Sequence, residues 1–120
     1  ETLPNSSFSA SSEYYSSDEG WWPPHRARYS SWAWSAAENT TDDNHWLEID
    51  LTRPVKIHSI GTLGVYAEYQ YQDEYVSQYE LAWSVSGNEW DSMILDGNYD
   101  RGTEILHVFD DDPLIARYVM

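Results

Sequence analysis

The chain has 120 residues, no cysteine, and 21 acidic against 6 basic side chains, which gives a formal charge of −15. This length fits one domain with its own hydrophobic core. The charge excludes nucleic-acid binding and disfavours anionic membranes, because both depend on lysine and arginine. The 7 tryptophans and 10 tyrosines exclude intrinsic disorder, since disordered acidic chains lack large apolar side chains.

The first half of the chain contains an aromatic stretch followed by two adjoining strands. Rings from Tyr14 to Trp22 lie among Ser, Asp and Glu without a period of two, which predicts an aromatic loop. Apolar residues alternate with Glu and Asp from Leu47 to Leu51, and the alternation resumes from Val55 to Ile60. Because Thr52-Arg53-Pro54 interrupts the pattern, we predict two strands joined by a tight turn.

The second half is predicted to contain another aromatic loop and several short strands. The loop runs from Tyr66 to Tyr75, and the strand that follows extends to Val85 with an apolar residue at every second position. Turn residues then separate further strands. These strands begin at Trp90 and span Thr103 to Phe109 and Leu114 to Met120, with turns at Ser86-Gly87-Asn88 and Asp96-Gly97-Asn98.

The periodicity predicts an all-β class. No apolar period of 3.6 residues persists over three turns, and the nearest candidate, Trp34 to Glu38, is too short to form a helix alone. Short strands separated by turns are typical of a sandwich or a barrel, because each half-apolar sheet face must be covered by another.

Seven motifs in order resemble the factor V/VIII C-type domains, also called discoidin domains. They are Ala10-Ser11-Ser12, Trp22 to Arg28, Trp32 to Ala36, Asn44 to Leu51, Val76 to Tyr79, Asp96-Gly97-Asn98 with Asp100, and Ile115 to Val119. The resemblance implies an eight-stranded jelly-roll β-sandwich whose loops form ligand-binding spikes at one end. It further implies a non-catalytic module that binds proteins, glycans or phosphatidylserine membranes in adhesion, coagulation or matrix assembly.

The resemblance also bears on the limits of the domain. The family closes with a strand beyond Arg117-Tyr118-Val119 and ties its termini with a disulfide. We therefore expect residues 1–120 to form one discoidin-like domain, truncated at both ends, with the last strand and both cysteines outside this chain. A larger multidomain protein or assembly is expected to cover the remaining edge.

The aromatic loops are the predicted ligand surface. Tyrosine and tryptophan give a large contact area at low rotamer entropy, which suits binding and not catalysis. The leading hypothesis is an extracellular adhesion or matrix module that binds a protein partner; a carbohydrate-binding module is the alternative, and a phosphatidylserine-binding module a further one. The predicted ligand-binding residues are Tyr14, Tyr15, Trp21, Tyr66, Glu68, Tyr69, Tyr71 and Asp73.

Other residues are assigned structural roles. Arg26, Arg28 and Arg117 fall in framework motifs, and in so acidic a chain we expect them to pair with carboxylates such as Asp50. Six tryptophans are predicted to pack in the core, because each buries a large apolar area. They are Trp22, Trp32, Trp34, Trp46, Trp83 and Trp90.

No metal, cofactor or catalytic group is assigned from the sequence. Asp96 to Gly102 carries oxygen-bearing side chains at alternate positions, as calcium loops do, but a calcium loop needs Gly at Arg101 and Glu at His107, so a structural turn is favoured. Calcium stays open as an alternative. Two glycosylation sequons, at Asn5 and Asn39, predict a secreted or cell-surface glycoprotein.

Overall fold

The computed structural model describes residues 2–17, 20–28, 33–37, 44–64 and 75–120. Within these ranges the chain forms nine strands, two short 3₁₀ turns and no α-helix, so the predicted all-β class is confirmed. None of the described segments is a helix that could cross a bilayer. The 3₁₀ turns are Asn5–Ser7 and Pro24–Ala27, and the strands are β1 (Phe8–Ala10), β2 (Tyr14–Ser16), β3 (Gly20–Trp22), β4 (Leu47–Ile57), β5 (Ser59–Thr62), β6 (Gln78–Ser84), β7 (Asp91–Asp96), β8 (Ile105–Val108) and β9 (Leu114–Val119).

Five antiparallel strands form the main sheet in the order β1-β4-β9-β6-β7, and β2-β3 and β5-β8 form two smaller sheets. The register places the ends of β1 and β9 beside the beginning of β4, and the end of β7 beside the beginning of β6. We call this edge the front end of the sheet. At the opposite edge, the back end, β6 leads into residues 85–90 and β9 begins at Leu114.

The prediction of two strands joined by a turn at residues 52–54 is wrong. β4 is continuous from Leu47 to Ile57, and both of its halves pair with β9 across a register shift between Asp50 and Val55. Within this register shift, Thr52 adopts a positive φ of 70°, and its N–H donates to Asp50 Oδ1 at 2.8 Å. Thr-Arg-Pro therefore marks a bulge within one strand, because the chain resumes the same ladder after it.

The predicted alternation in the long strand holds for only part of β6. Gln78 and Glu80 are exposed, but Ala82 and Ser84 on the same face are buried, as is Leu81 on the other. Ala82 also exchanges two backbone hydrogen bonds of 2.8 Å with Met120, next to the β9 ladder. An inner strand covered on both faces loses the contrast between its two faces that a period-two pattern reports.

The β5-β8 sheet lies against the face of the main sheet that carries Tyr79. The rings of Tyr79 and His107 are 6.5 Å apart, and His107 Nε2 donates to the carbonyl of Asp96 at 2.7 Å. The Asn98 side chain donates to the carbonyl of Thr62 at 2.8 Å. These contacts make two layers, as the resemblance to a sandwich implies.

The tryptophans predicted to form the core differ in their burial. Trp22 is the largest fully buried side chain among the described residues, with 1% of its surface exposed, whereas Trp34, Trp83 and Trp90 are half-buried. The prediction for Trp46 is wrong, because 40% of its surface is exposed at the beginning of β4. Trp32 lies outside the described residues.

The expected pairing of arginine with Asp50 is confirmed for Arg117. Its Nε and Nη2 donate to the two carboxylate oxygens at 2.9 and 3.1 Å, which ties β9 to β4 at the bulge. Arg28 instead donates to the Leu3 carbonyl and to Asn5 Oδ1, and its guanidinium lies 4.4 Å from the centre of the Phe8 ring. The Arg117 guanidinium, followed by the Thr52 N–H, holds the pKa of Asp50 below its ordinary value.

We predict that Asp50→Asn lowers the urea midpoint at pH 7, because the amide keeps a neutral acceptor for Thr52 but loses the charge that faces Arg117. Since the folded-state pKa is lowered, the ion pair stabilises the protein above the unfolded pKa of about 3.9 and is lost as the pH falls through the folded value. The difference between the midpoints of wild type and variant should therefore shrink as the pH falls below the unfolded pKa of about 3.9. An equal difference at pH 7 and pH 3 would contradict this assignment.

Candidate ligand-binding end

The first predicted aromatic loop is a two-stranded hairpin. β2 and β3 pair Tyr14 with Trp22, Tyr15 with Trp21 and Ser16 with Gly20, whose φ is +81°. Three-residue strands are too short for a period of two to show in the sequence, which explains why a loop was predicted. The turn residues Asp18 and Glu19 lie outside the described residues.

The hairpin separates its four rings onto two faces. Tyr15 and Trp21 are 55% and 56% exposed, which confirms their predicted exposure, and their ring centres lie 4.9 Å apart at an interplanar angle of 52°. On the other face, Tyr14 is half-buried opposite the fully buried Trp22. The two members of a cross-strand pair stabilise each other, and the buried Trp22 on the inner face anchors the strand that presents Trp21 on the outer face.

The residues before the hairpin are fixed by segment 33–37. Trp34 Nε1 donates to the Ser12 carbonyl at 2.8 Å, the Ala37 N–H donates to Ser12 Oγ at 3.0 Å, and the Tyr14 N–H donates to the Ser35 carbonyl at 2.8 Å. A hairpin of this length is marginal by itself, and these bonds supply the tertiary support it needs. The hairpin that carries Tyr15 and Trp21 is therefore fixed at its base by hydrogen bonds to segment 33–37.

Of the second predicted aromatic loop, Tyr66 to Tyr75, only Tyr75 is among the described residues. Tyr66, Glu68, Tyr69, Tyr71 and Asp73 lie outside the described residues, so their binding role stays a prediction. The segment that follows them enters β6 at the front end. β1 leads to the hairpin from the same end.

Three further exposed rings lie at the front end, and none of them is among the ligand-binding residues predicted from the sequence. Tyr75 appears there only as the last residue of the second predicted loop. Trp46 precedes β4 with 40% exposure, Tyr75 precedes β6 with 41%, and Tyr99 follows β7 with 66%. Trp46 is joined to the base of the hairpin, because its N–H donates to Ser11 Oγ at 3.0 Å. The exposure of Tyr99 can be predicted from its position in a polar turn, because a ring there has little apolar surface to pack against.

The turn at residues 96–103 is built as a structural turn. Asn98, only 3% exposed, donates through its side chain to the carbonyls of Thr62 and Thr103 at 2.8 and 3.1 Å. The Asp100 carboxylate accepts from the N–H groups of Gly102 and Thr103 and from the Thr103 hydroxyl, and the N–H of Thr103 is the main cause of its lowered pKa. In the described ranges, no three His, Asp or Glu side chains converge on a common point where a metal could bind.

The described sequon, Asn5-Ser6-Ser7, forms the first 3₁₀ segment. Asn5 is exposed, and its Oδ1 accepts from Arg28 Nη2 at 3.3 Å, which leaves the amide nitrogen, the atom that carries an N-linked glycan, free of that bond. Asn39 lies outside the described residues. Glycosylation at both positions stays a prediction.

Comparison with known proteins places the chain in a family. A family model described as F5/8 type C domain matches residues 7–120. The chain belongs to the F5/8 type C domain family. This is a family of non-catalytic binding modules, in agreement with the resemblance inferred from the motifs.

Several curated relatives contain a similar domain. The chain is 34% identical over 109 residues to coagulation factor VIII of Canis lupus familiaris, covering 83% of this chain and 4% of that protein. It is 31% identical over 111 residues to EGF-like repeat and discoidin I-like domain-containing protein 3 of Mus musculus, covering 82% and 22%. It is 32% identical over 111 residues to Discoidin, CUB and LCCL domain-containing protein 2 of Rattus norvegicus, covering 84% and 14%. The chain spans less than a quarter of each of these relatives.

Trp21 and Trp22 provide a matched test of the hairpin in this F5/8 type C domain. Trp22→Ala should lower the free energy of unfolding by about 3–5 kcal/mol, because it removes a fully buried indole. Trp21→Ala should cost about 1 kcal/mol or less, since it removes only an exposed ring and its contact with Tyr15. Urea unfolding followed by circular dichroism measures both, and similar losses in the two variants would contradict the assigned faces.

A second test concerns the turn after β7. Asn98→Ala should lower the free energy of unfolding by about 1–3 kcal/mol, because it removes a buried amide and leaves two carbonyls without their donor. Gly97→Ala should be at least as damaging, since a Cβ at this position would lie 2.1 Å from the Val76 carbonyl oxygen. Tyr99→Ala is the control in the same turn and is expected to leave the urea midpoint within the surface-mutation range of about 0.5 kcal/mol.

Proposed function

We propose that this domain is a non-catalytic extracellular adhesion or matrix module that binds a protein partner through its front end. The observation that supports this most directly is the exposed Tyr15–Trp21 pair on an anchored hairpin. Tyr66, Glu68, Tyr69, Tyr71 and Asp73 are assigned to the same surface, and Tyr14, half-buried on the inner face of the hairpin, is assigned a supporting position beneath it. An extracellular location is supported by the Asn5 sequon, and the small share of each relative covered supports a place within a larger protein.

The ring pair has the physical properties of a binding anchor. Each ring leaves more than half of its surface in water, so a partner that covers both removes apolar area from solvent. The rings already contact each other, and the hairpin base is bonded to segment 33–37, so little conformational entropy is lost on binding. Aromatic anchors of this kind dominate the energy of protein interfaces.

The charge of the chain constrains the partner. With 21 acidic and 6 basic residues, the domain attracts a basic or calcium-bridged surface and repels an acidic one. Association with a basic partner should therefore slow as the salt concentration rises, because the attraction acts mainly on the encounter rate. The same negative charge repels anionic lipid, so phosphatidylserine membranes are a weaker ligand candidate than proteins.

A carbohydrate ligand is the second candidate. The observation that favours it is again the exposed ring pair, because a sugar ring presents an apolar face that packs on Tyr or Trp while its hydroxyl groups bond to neighbouring polar side chains. The tilt of 52° between the two rings offers two differently oriented faces. A glycan would then be held by stacking, with Glu68 and Asp73 as the assigned hydroxyl acceptors.

The test compares three ligand classes with one set of variants. Biotinylated domain is applied to an array of extracellular proteins, to a glycan array, and to phosphatidylserine vesicles with and without calcium. We expect hits on the protein array that weaken at least tenfold in the double variant Tyr15→Ala/Trp21→Ala, because both exposed anchors are lost. Retained binding in this variant would remove the hairpin from the interface.

Leu106→Ala/Val108→Ala is the matched control. Both side chains are exposed, at 54% and 56%, but they lie on β8 in the other layer, so their removal should leave the protein hits unchanged. Hits confined to the glycan array would support the carbohydrate candidate instead. Sedimentation with phosphatidylserine vesicles that is lost in the hairpin variant would replace both with membrane binding.

A further inference from the structure

A cavity of about 320 Å³ opens at the back end of the main sheet. It is lined by the end of β6, the turn after it, the beginning of β7 and one residue of β9. Two indoles, two carboxylates and two exposed aliphatic side chains contribute the chemistry. The lining residues used below are Trp83, Val85, Glu89, Trp90, Asp91 and Ile115.

The indole of Trp90 is held in a fixed position. Its Nε1 donates to the Gly87 carbonyl at 3.1 Å, and its ring centre lies 6.5 Å from that of Tyr118. The turn is fixed in the same way, because the N–H of Gly87 donates to Ser84 Oγ at 2.8 Å, and that of Glu89 to Ser86 Oγ at 3.3 Å. A wall that does not rearrange loses little entropy when a ligand binds.

The charge of the cavity is negative. Glu89 and Asp91 both line it, Asp91 pairs with Trp83 across the β6-β7 ladder, and no lysine or arginine is part of the wall. Two cations lie near the wall in the ladder: Lys56 is opposite Ile115 on β4, and Arg117 lies two residues beyond Ile115 on β9, where its guanidinium is bonded to Asp50. The aliphatic part of the wall is accessible, because Val85 and Ile115 are 49% and 53% exposed.

We propose that this back-end cavity binds a lysine side chain of a basic protein segment. The lysine stem matches the exposed Val85 and Ile115, its ammonium group matches the carboxylates of Glu89 and Asp91, and indole faces attract cations directly. The site lies at the opposite end of β6 from the Tyr15–Trp21 hairpin. The domain would then bind two partners, or two parts of one, at its two ends.

The experiment uses hexalysine peptide as the probe and the indole N–H signals of the ¹⁵N-labelled domain as the readout. Spectra of Trp83→Phe and Trp90→Phe assign the two signals. We expect saturable shifts of both with hexalysine and none with the fully Nε-acetylated peptide, which keeps the stem but lacks the charge. Glu89→Gln/Asp91→Asn should weaken the apparent affinity about fivefold or more.

Asp111→Asn/Asp112→Asn is the matched control, because it removes the same two charges from an exposed turn outside the cavity. Its affinity for hexalysine should stay close to that of wild type. An equal loss in both double variants would show attraction by net charge alone and overturn the site. Shifts confined to Trp21, or equal shifts with the acetylated peptide, would also overturn it, and urea midpoints show that each variant is folded.

Discussion

The Asp50 carboxylate is the junction on which the main sheet depends. Its Oδ1 accepts the Thr52 N–H inside the β4 bulge and also the Nε of Arg117, whose Nη2 bonds to Oδ2. One side chain thus stabilises the bulge and joins β4 to β9, the middle strand of the sheet. Because β9 also pairs with the end of β6, the residues on either side of this bond connect β4 to β6 through β9.

Because its strands are antiparallel, the main sheet has two ends, and these differ in chemistry. Exposed rings gather at the front end because the hairpin and the loops before β4 and β6 and after β7 all begin or end there. The back end carries instead the tight turn after β6 and the cavity beside Trp90. Loops project from a packed scaffold, so residues at either end can vary without disturbing the core.

The errors in the sequence interpretation have physical causes that particular residues illustrate. Thr52-Arg53-Pro54 has the composition of a turn, but a bulge has the same composition, and only pairing with β9 distinguishes them. Tryptophan is usually buried in a core, but Trp46 lies just before β4 and is exposed. The hairpin was interpreted as a loop because its strands are three residues long, so local periodicity had no room to appear.

Sequence alone determined the all-β class, the family and the acidic, aromatic character of the chain, because these follow from composition, period-two alternation and ordered motifs. It also identified Arg117 and Asp50 as partners. Only the tertiary structure decided that Tyr15 and Trp21 contact each other on the outer face of a hairpin, that Trp46 is exposed, and that a negatively charged cavity lies at the back end. Those properties arise from register and from contacts between residues distant in sequence, which local patterns do not encode.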